Sequence, residues 1–314
     1  MCGIVAYLGS HNAKDILLDG LRRLEYRGYD SAGIALLTEG AIHRTRAAGP
    51  ISALEPKTDS LPSATLGIGH TRWATHGPPT ERNAHPHLDC TARFAVVHNG
   101  IIENYHQLKQ MLTDTGHVFH SETDTEVLSH LIEQEHQNNK THSLTETITT
   151  ALQQVHGTYG LAVIDVQRPD ELVVARLGSP MAIGIGNNEY IIASDPSAIL
   201  RYTRQVIFLD DYEIATIQRN DLQIRSLKTT SPIQKSPQTI DWSLEDVQKN
   251  GQPHFMLKEI LEEPEVLRNT MRGRLSKIHG TAILGGLKDV MNRLEQVERL
   301  ILVGCGTAYY AGCV

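Results

Sequence analysis

Met1-Cys2-Gly3-Ile4-Val5-Ala6-Tyr7-Leu8 opens the chain. Residues 4–8 are apolar without alternation, a pattern that predicts a strand buried on both faces. Directly before that strand stands a cysteine at position 2. If Met1 is removed, as a small second residue favours, Cys2 carries a thiol and a free α-amine on one residue. The α-amine has an ordinary pKa of roughly 7.7–8.0 and can take and return a proton near neutrality. The thiol is a strong nucleophile, and a terminal amine is an established base for such a group. Taken alone, a cysteine at position 2 is usually an accident of a frayed terminus, so the rest of the chain must decide.

A length of 314 residues suggests about two domains. Hydrophobic residues at 40% and charged residues at 21% are ordinary for a globular chain with a sizeable core. The balance of 36 acids against 29 bases argues against nucleic acid as a partner, and no block of Lys or Arg offsets it. Small anionic substrates stay compatible with local arginines. The four cysteines, Cys2, Cys90, Cys305 and Cys313, show neither C-x-x-C spacing nor the density of a disulfide scaffold, which fits a reducing, cytoplasmic setting. No run approaches the ~20 apolar residues of a membrane span.

Beyond the first strand, Ile16, Leu17, Leu21 and Leu24 recur at helical spacing after Asn12, with Gly28 as a stop. Arg27, in the last turn, suits the helix dipole as well as a site. A short strand at 67–69 ends in His70-Thr71-Arg72-Trp73-Ala74-Thr75-His76-Gly77-Pro78-Pro79, whose composition predicts an irregular loop. His76, His85 and His87 raise the question of a metal, but no acidic or cysteine partner stands at ligand spacing, and no metal site is expected there. Residues 94–98 read as a strand that Asn99-Gly100 ends at a strand-to-helix junction, where a backbone N–H can face an anion. In Ser121-Glu122-Thr123-Asp124-Thr125-Glu126, Thr123 and Glu126 stand in capping-box register ahead of a buried stripe at Val127, Leu128, Leu131 and Ile132. Asp124 there either offsets the dipole or holds an ammonium.

From Gly160 the pattern turns to short strands at 161–166, 171–176, 182–185, 190–193, 206–209 and 213–217, separated by turn residues as in antiparallel meanders. A Ser/Thr/Pro/Lys-rich stretch at 226–239 reads as a linker. Helices are expected over 241–263, 265–274 and up to Glu298, then a strand at 300–303, the turn Gly304-Cys305-Gly306-Thr307 and the first turn of a helix at 308–312. A βα start needs neighbouring strands, so these residues read as the opening of a second, truncated domain.

Five motifs in order carry a family resemblance: Cys2-Gly3-Ile4-Val5, Glu25-Tyr26-Arg27-Gly28-Tyr29-Asp30-Ser31, the His70–Gly77 run, His98-Asn99-Gly100-Ile101-Ile102-Glu103-Asn104-Tyr105, and the 121–126 run. Together they resemble the glutaminase domain of the glutamine–fructose-6-phosphate aminotransferases. The resemblance extends over the whole chain, with Lys258-Glu259-Ile260 and residues 300–312 similar to the start of that family's sugar-isomerase (SIS) domain. Amidophosphoribosyltransferase and asparagine synthetase share the terminal cysteine but carry neither R-G-Y-D-S nor H-T-R-W-A-T-H-G in this form.

The resemblance implies an α+β, N-terminal-nucleophile hydrolase fold, a four-layer α/β/β/α sandwich of antiparallel sheets, followed by a linker and the beginning of an α/β SIS domain. Expected boundaries are 1–225, 226–240 and 241–314. It further implies that Cys2 attacks the amide of L-glutamine, with the Asn99 side chain and the Gly100 N–H as oxyanion donors. Arg72 would grip the substrate carboxylate bidentately and Asp124 its ammonium. Trp73, Thr75 and His76 would belong to a closing loop, and Arg27 would line the pocket. D-Fructose 6-phosphate would bind through the second domain, with Gly306 and Thr307 near its phosphate. That loop departs from the family's C-G-T-S in reading Cys305-Gly306-Thr307-Ala308, which removes a hydroxyl. No cofactor is implied, and the full-length protein is expected to be a homo-oligomer. The competing readings are an N-terminal-nucleophile amidase for another substrate, against which the paired charges of Arg72 and Asp124 argue, and a sugar-phosphate sensor, which the truncation disfavours.

Overall fold

A computed structural model describes residues 2–241, 252–271, 274–276, 280–282, 291–294, 296–299, 301–304 and 306–313. Within residues 2–241 the strands are β1 (Gly3–Leu8), β2 (Ser31–Thr38), β3 (Ala41–Ala48), β4 (Leu66–Arg72), β5 (His87–Leu88), β6 (Phe94–Ile102), β7 (Gly157–Asp165), β8 (Glu171–Leu177), β9 (Ala182–Ile185), β10 (Tyr190–Ala193), β11 (Gln205–Phe208), β12 (Glu213–Gln218), β13 (Asp221–Ser226), β14 (Pro232–Ile233) and β15 (Gln238–Thr239). The helices that bear on the site are α1 (Ala13–Leu24), α2 (Ile51–Leu54), α3 (Tyr105–Asp114), α4 (Glu126–Asn138) and α5 (Leu144–Leu152). One sheet runs β15-β11-β9-β10-β1-β4-β2-β3 and the other β14-β13-β12-β8-β7-β6-β5, with antiparallel ladders throughout.

The apolar opening run explains why β1 sits inside its sheet. With a period of two, Ile4, Ala6 and Leu8 point one way and pack with Val97, Ala162, Ile164, Val174 and Ile217 of the other sheet. Val5 and Tyr7 point the other way, onto Ile16, Leu17, Leu21 and Leu24 of α1. The second sheet does the same: Phe94, Val96, Leu161 and Val163 turn outward onto Leu108, Leu112, Leu131 and Ile148 of α3, α4 and α5. The layers are therefore helix, sheet, sheet, helix, the four-layer sandwich expected. Each fully buried Leu or Ile of this core contributes about 1.5–3 kcal/mol relative to exposure.

Three local expectations are corrected. Asn99-Gly100 does not end its strand, because β6 continues to Ile102 and pairs with β7 through both residues. Thr123 and Glu126 form no capping box, since α4 begins at Glu126, whose carboxylate accepts from the His120 amide (2.8 Å) and from the Ser121 amide (2.6 Å) and hydroxyl (2.7 Å). The box forms instead at Ser143 and Glu146, ahead of α5. The helix expected to break near Glu263 runs without interruption from Phe255 to Met271 through Pro264.

Within the stretch at 226–239, β14 adds to the edge of one sheet and β15 to the edge of the other. Both are two residues long and one holds a proline, features suited to a sheet edge. The described residues divide into two compact units, Met1–Val247 and Gln248–Val314. In the second unit residues 301–304 form no strand, and a short helix covers Thr307–Cys313. The expected helix over 242–251, Gly285-Gly286 and Cys305 lie outside the described residues.

Candidate active site

Fixing β1 in its sheet fixes the residue before it. Gly3 pairs with Thr71 in the β1–β4 ladder, so the end of β4 passes beside Cys2. The Trp73 amide donates to Cys2 Sγ at 3.2 Å, and the thiol faces the Trp73 carbonyl at 3.5 Å. On the other side of β4, Ser31 pairs with Arg72, which draws in the 28–30 segment. Asp30 donates its amide to the Arg72 carbonyl (3.0 Å) and accepts the Ala74 amide on its carboxylate (2.8 Å). Gly28 lies so close that a Cβ would stand 2.6 Å from the Arg72 carbonyl carbon and 2.8 Å from the Trp73 nitrogen. The root of the 73–79 loop is thus packed where only glycine fits.

Asn99 reaches Cys2 from the second sheet. Its Nδ2 donates to the Cys2 carbonyl at 3.0 Å, and its Oδ1 lies 3.0 Å from His70 Nε2. That ring nitrogen also faces the His98 carbonyl at 3.1 Å, so with two acceptors before it Nε2 carries the hydrogen. His85 Nδ1 lies 3.0 Å from both ring nitrogens of His70, the two imidazoles packing edge-on. Burial holds the His70 imidazole down at about 3, and burial followed by the neighbouring His70 holds His85 well below its ordinary range. Both depressions favour neutral rings at physiological pH. Gly100 follows with φ of 139°, and a Cβ there would stand 2.1 Å from the Thr158 carbonyl oxygen. No other residue fits.

Arg72 is buried at the end of β4, and its guanidinium donates to the carbonyls of His76, Gly77 (3.3 Å) and Pro78 (3.3 Å). The loop is folded back onto the arginine that begins it. Asp124, also buried, accepts the Ile102 amide at 2.9 Å, and its second oxygen is 3.9 Å from His76 Nδ1. The His76 ring packs edge-on against Tyr105, and Trp73, 45% exposed, packs edge-on against Tyr29. Thr75 is exposed on the loop.

The structure therefore gathers Cys2, Arg72, Trp73, His76, Asn99, Gly100 and Asp124. Arg27 is directed elsewhere: it pairs with Asp195 and donates through Nε to the Tyr26 hydroxyl at 3.0 Å. Gly306 and Thr307 belong to the second unit, Gly306 exposed with φ of 60°. Of the three histidines considered for a metal, His85 and His87 stack in the interior while His76 stands with Asp124. Sequence reasoning missed His70, His85 and Asp30 as positioning groups. All three stand in or beside the motifs, but nothing in the sequence says which motif residues face inward.

Burial, the largest influence, pushes the Cys2 thiol up, with Asp124 adding to it, while the Trp73 amide and the Arg72 guanidinium pull against it. The resting sulfur is a protonated thiol that needs a base before it can attack.

A family model for a glutamine amidotransferase domain matches residues 70–201, the stretch holding His70, Arg72, Asn99 and Asp124. The glutamine–fructose-6-phosphate aminotransferase (isomerizing) of Chlorobaculum tepidum is 46% identical over 100% of this chain and 52% of its own length. The enzyme of that name from a strain of Thermus thermophilus is 48% identical over 99% of this chain and 50% of its own. The chain spans about half the length of the curated relatives it matches. Among solved structures, the glutamine phosphoribosylpyrophosphate amidotransferase of B. subtilis, complexed with ADP and GMP, superposes with a TM-score of 0.62 at 26% identity, over 73% of this chain and 50% of that one. Fold, domain and sequence agree: the chain carries a class II glutamine amidotransferase domain on the N-terminal-nucleophile fold, and along its whole length it is similar to about half of the glutamine–fructose-6-phosphate aminotransferases.

Proposed function

We propose that this chain hydrolyses the side-chain amide of L-glutamine on Cys2, as the ammonia-supplying half of an enzyme that converts D-fructose 6-phosphate to glucosamine 6-phosphate. The reading rests on Asn99 Nδ2, which lies 3.0 Å from the Cys2 carbonyl and sets a neutral amide donor beside the thiol. With Met1 removed, the Cys2 α-amine takes the thiol proton as sulfur bonds to the amide carbon. The carbonyl electrons move onto oxygen, where Asn99 Nδ2 and the Gly100 N–H receive the charge. Collapse expels ammonia, protonated by the α-ammonium, and leaves a γ-glutamyl thioester. Water, deprotonated by the same amine, then releases glutamate and restores the thiol.

Arg72 and Asp124 meet the substrate's carboxylate and ammonium. Trp73, Thr75 and His76 close over it, Trp73 gating the path of ammonia. Arg27, paired with Asp195, shapes the wall from behind. Residues 1–225 form the glutaminase and 241–314 open the sugar domain, where Gly306 and Thr307 approach the phosphate.

Expressed by itself, the 314-residue chain should release glutamate and ammonia from glutamine and make no amino sugar from fructose 6-phosphate. A coupled glutamate assay beside direct detection of amino sugar tests both halves. No glutamate release from a folded chain with Cys2 at its terminus would overturn the proposal.

A further inference from the structure

We propose that Cys90, His117, His130 and Glu133 form a closed, four-coordinate site for a divalent cation of the zinc class. The four residues come from three places: the turn between β5 and β6, the loop after α3, and one face of α4 at positions i and i+3. His117, His130 and Glu133 are almost wholly buried. Their ligand atoms and the Cys90 sulfur all lie within 4.8 Å of one another. Cys90 Sγ is 3.8 Å from His117 Nδ1 and 3.5 Å from His130 Nδ1, and Glu133 Oε2 is 3.0 Å and 3.7 Å from the same two nitrogens. Bonds of about 2.3 Å to sulfur and 2.0–2.2 Å to nitrogen and oxygen, arranged tetrahedrally, put ligand atoms roughly 3.2–3.7 Å apart. These four distances bracket that range.

Hydrogen bonding outside the cluster points the lone pairs inward. The Gln134 amide nitrogen donates to Asn138 Oδ1 at 3.1 Å, so its oxygen is the atom that faces His117 Nε2, also at 3.1 Å. That oxygen needs a hydrogen on Nε2, which leaves Nδ1 of the neutral ring bare. A bare nitrogen 3.0 Å from a carboxylate oxygen is two acceptors in contact, which a metal cation between them resolves, as a proton on Nδ1 would. His130 is held more loosely: its Nε2 has no hydrogen-bond partner, the Glu126 carboxylate standing 3.7 Å away, while Nδ1 faces the sulfur. Carboxylates and amides behind metal-bound imidazoles orient ligands in this way. The Val118 amide donates to Cys90 Sγ at 3.3 Å, and the Cys90 amide to Glu133 Oε2 at 3.1 Å, as suits anionic ligands. A thiolate and a carboxylate balance the two charges of the cation.

Four protein ligands leave no open position, so the site is structural. It would tie α4 to the 117–121 segment, whose other anchor is Glu126. Asp124 stands between these fixed points.

The full chain, stripped of metal by a chelator, is titrated with cobalt(II) and then with zinc. We expect one cobalt per chain, with the visible intensity of tetrahedral coordination and a thiolate-to-metal charge-transfer band, both displaced by zinc, and a thermal midpoint that rises on zinc binding. Cys90→Ser, checked for folding by circular dichroism, should lose the charge-transfer band. Gln134→Ala keeps every ligand and should weaken binding roughly 10–100-fold. No band in the wild-type chain would overturn the site and leave His117 and Glu133 as a simple ion pair. A band that survives in Cys90→Ser would overturn it too, by placing the metal on another thiol.

Discussion

His70 Nε2 donates to Asn99 Oδ1 at 3.0 Å, and in doing so turns the amide nitrogen of Asn99 toward Cys2. Without that bond the Asn99 amide could flip and present oxygen to a developing oxyanion. His70→Ala should therefore lower kcat by up to about 10²-fold with KM little changed. His70→Gln, which can offer an amide hydrogen, should recover part of the loss. Steady-state kinetics on the two variants decide this, and equal losses in both would remove the orienting role.

Arg72→Ala and Asn99→Ala should fail differently. Arg72 would hold a carboxylate present in ground and transition states alike, so its loss raises KM. Asn99 would donate to charge that exists only during reaction, so its loss should lower kcat by roughly 10²–10³-fold. A purely KM effect in both would refute the oxyanion assignment.

An electrophilic glutamine analogue should alkylate Cys2 in preference to Cys90. Because burial raises the thiol, the amine controls attack, and labelling should climb with pH through roughly 7.7–8.0, the ordinary α-amino range. Peptide mapping across a pH series gives both the site and the midpoint. Retained Met1 in an active preparation would sink this mechanism.

Gly100→Ala should destabilise the fold well beyond Gly116→Ala. Both positions have positive φ, 139° and 99°, so both suffer about 1–2 kcal/mol of backbone strain with a Cβ. At Gly116 nothing lies within 4 Å of that Cβ, whereas at Gly100 it meets the Thr158 carbonyl oxygen at 2.1 Å. Urea denaturation of the two variants measures the difference.

Acid should weaken the fold before its carboxylates titrate. Burial depresses His70, His85, His87 and His98 in the folded chain, His70 to about 3. Unfolded, each takes a proton below about pH 6.5. The unfolded state thus binds more protons from there downward, and stability, intact above that pH, falls by at most about 1.4 kcal/mol per pH unit for each ring. Thermal midpoints between pH 7 and pH 4 should show the slope, and His85→Gln should flatten it.

The sandwich was legible because apolar runs such as Ile4 to Leu8 and Leu172 to Ala175 have no polar face, and only a strand covered on both sides satisfies them. The sequence was less informative where two stretches obey one local rule. Thr123-Asp124-Thr125-Glu126 and Ser143-Leu144-Thr145-Glu146 both carry the capping-box spacing, yet only the second forms the box. Glu126 is buried, and the His120 amide and Ser121 claim its carboxylate from a preceding segment. The convergence of Cys90 with His117 and His130 was illegible for the same reason, since no regular spacing joins residues from three elements.

Arg72 has a consequence of another kind. Its guanidinium already donates to three carbonyls of the loop that follows it. If Arg72 grips the substrate carboxylate as proposed, that carboxylate must take over some of those hydrogens, because a guanidinium has only five to give. Loop position and substrate binding then form one linked equilibrium, with the arginine as the shared currency. A substitution that weakens the grip on the 76–78 backbone, without touching any group that meets glutamine, would act as a remote control of affinity.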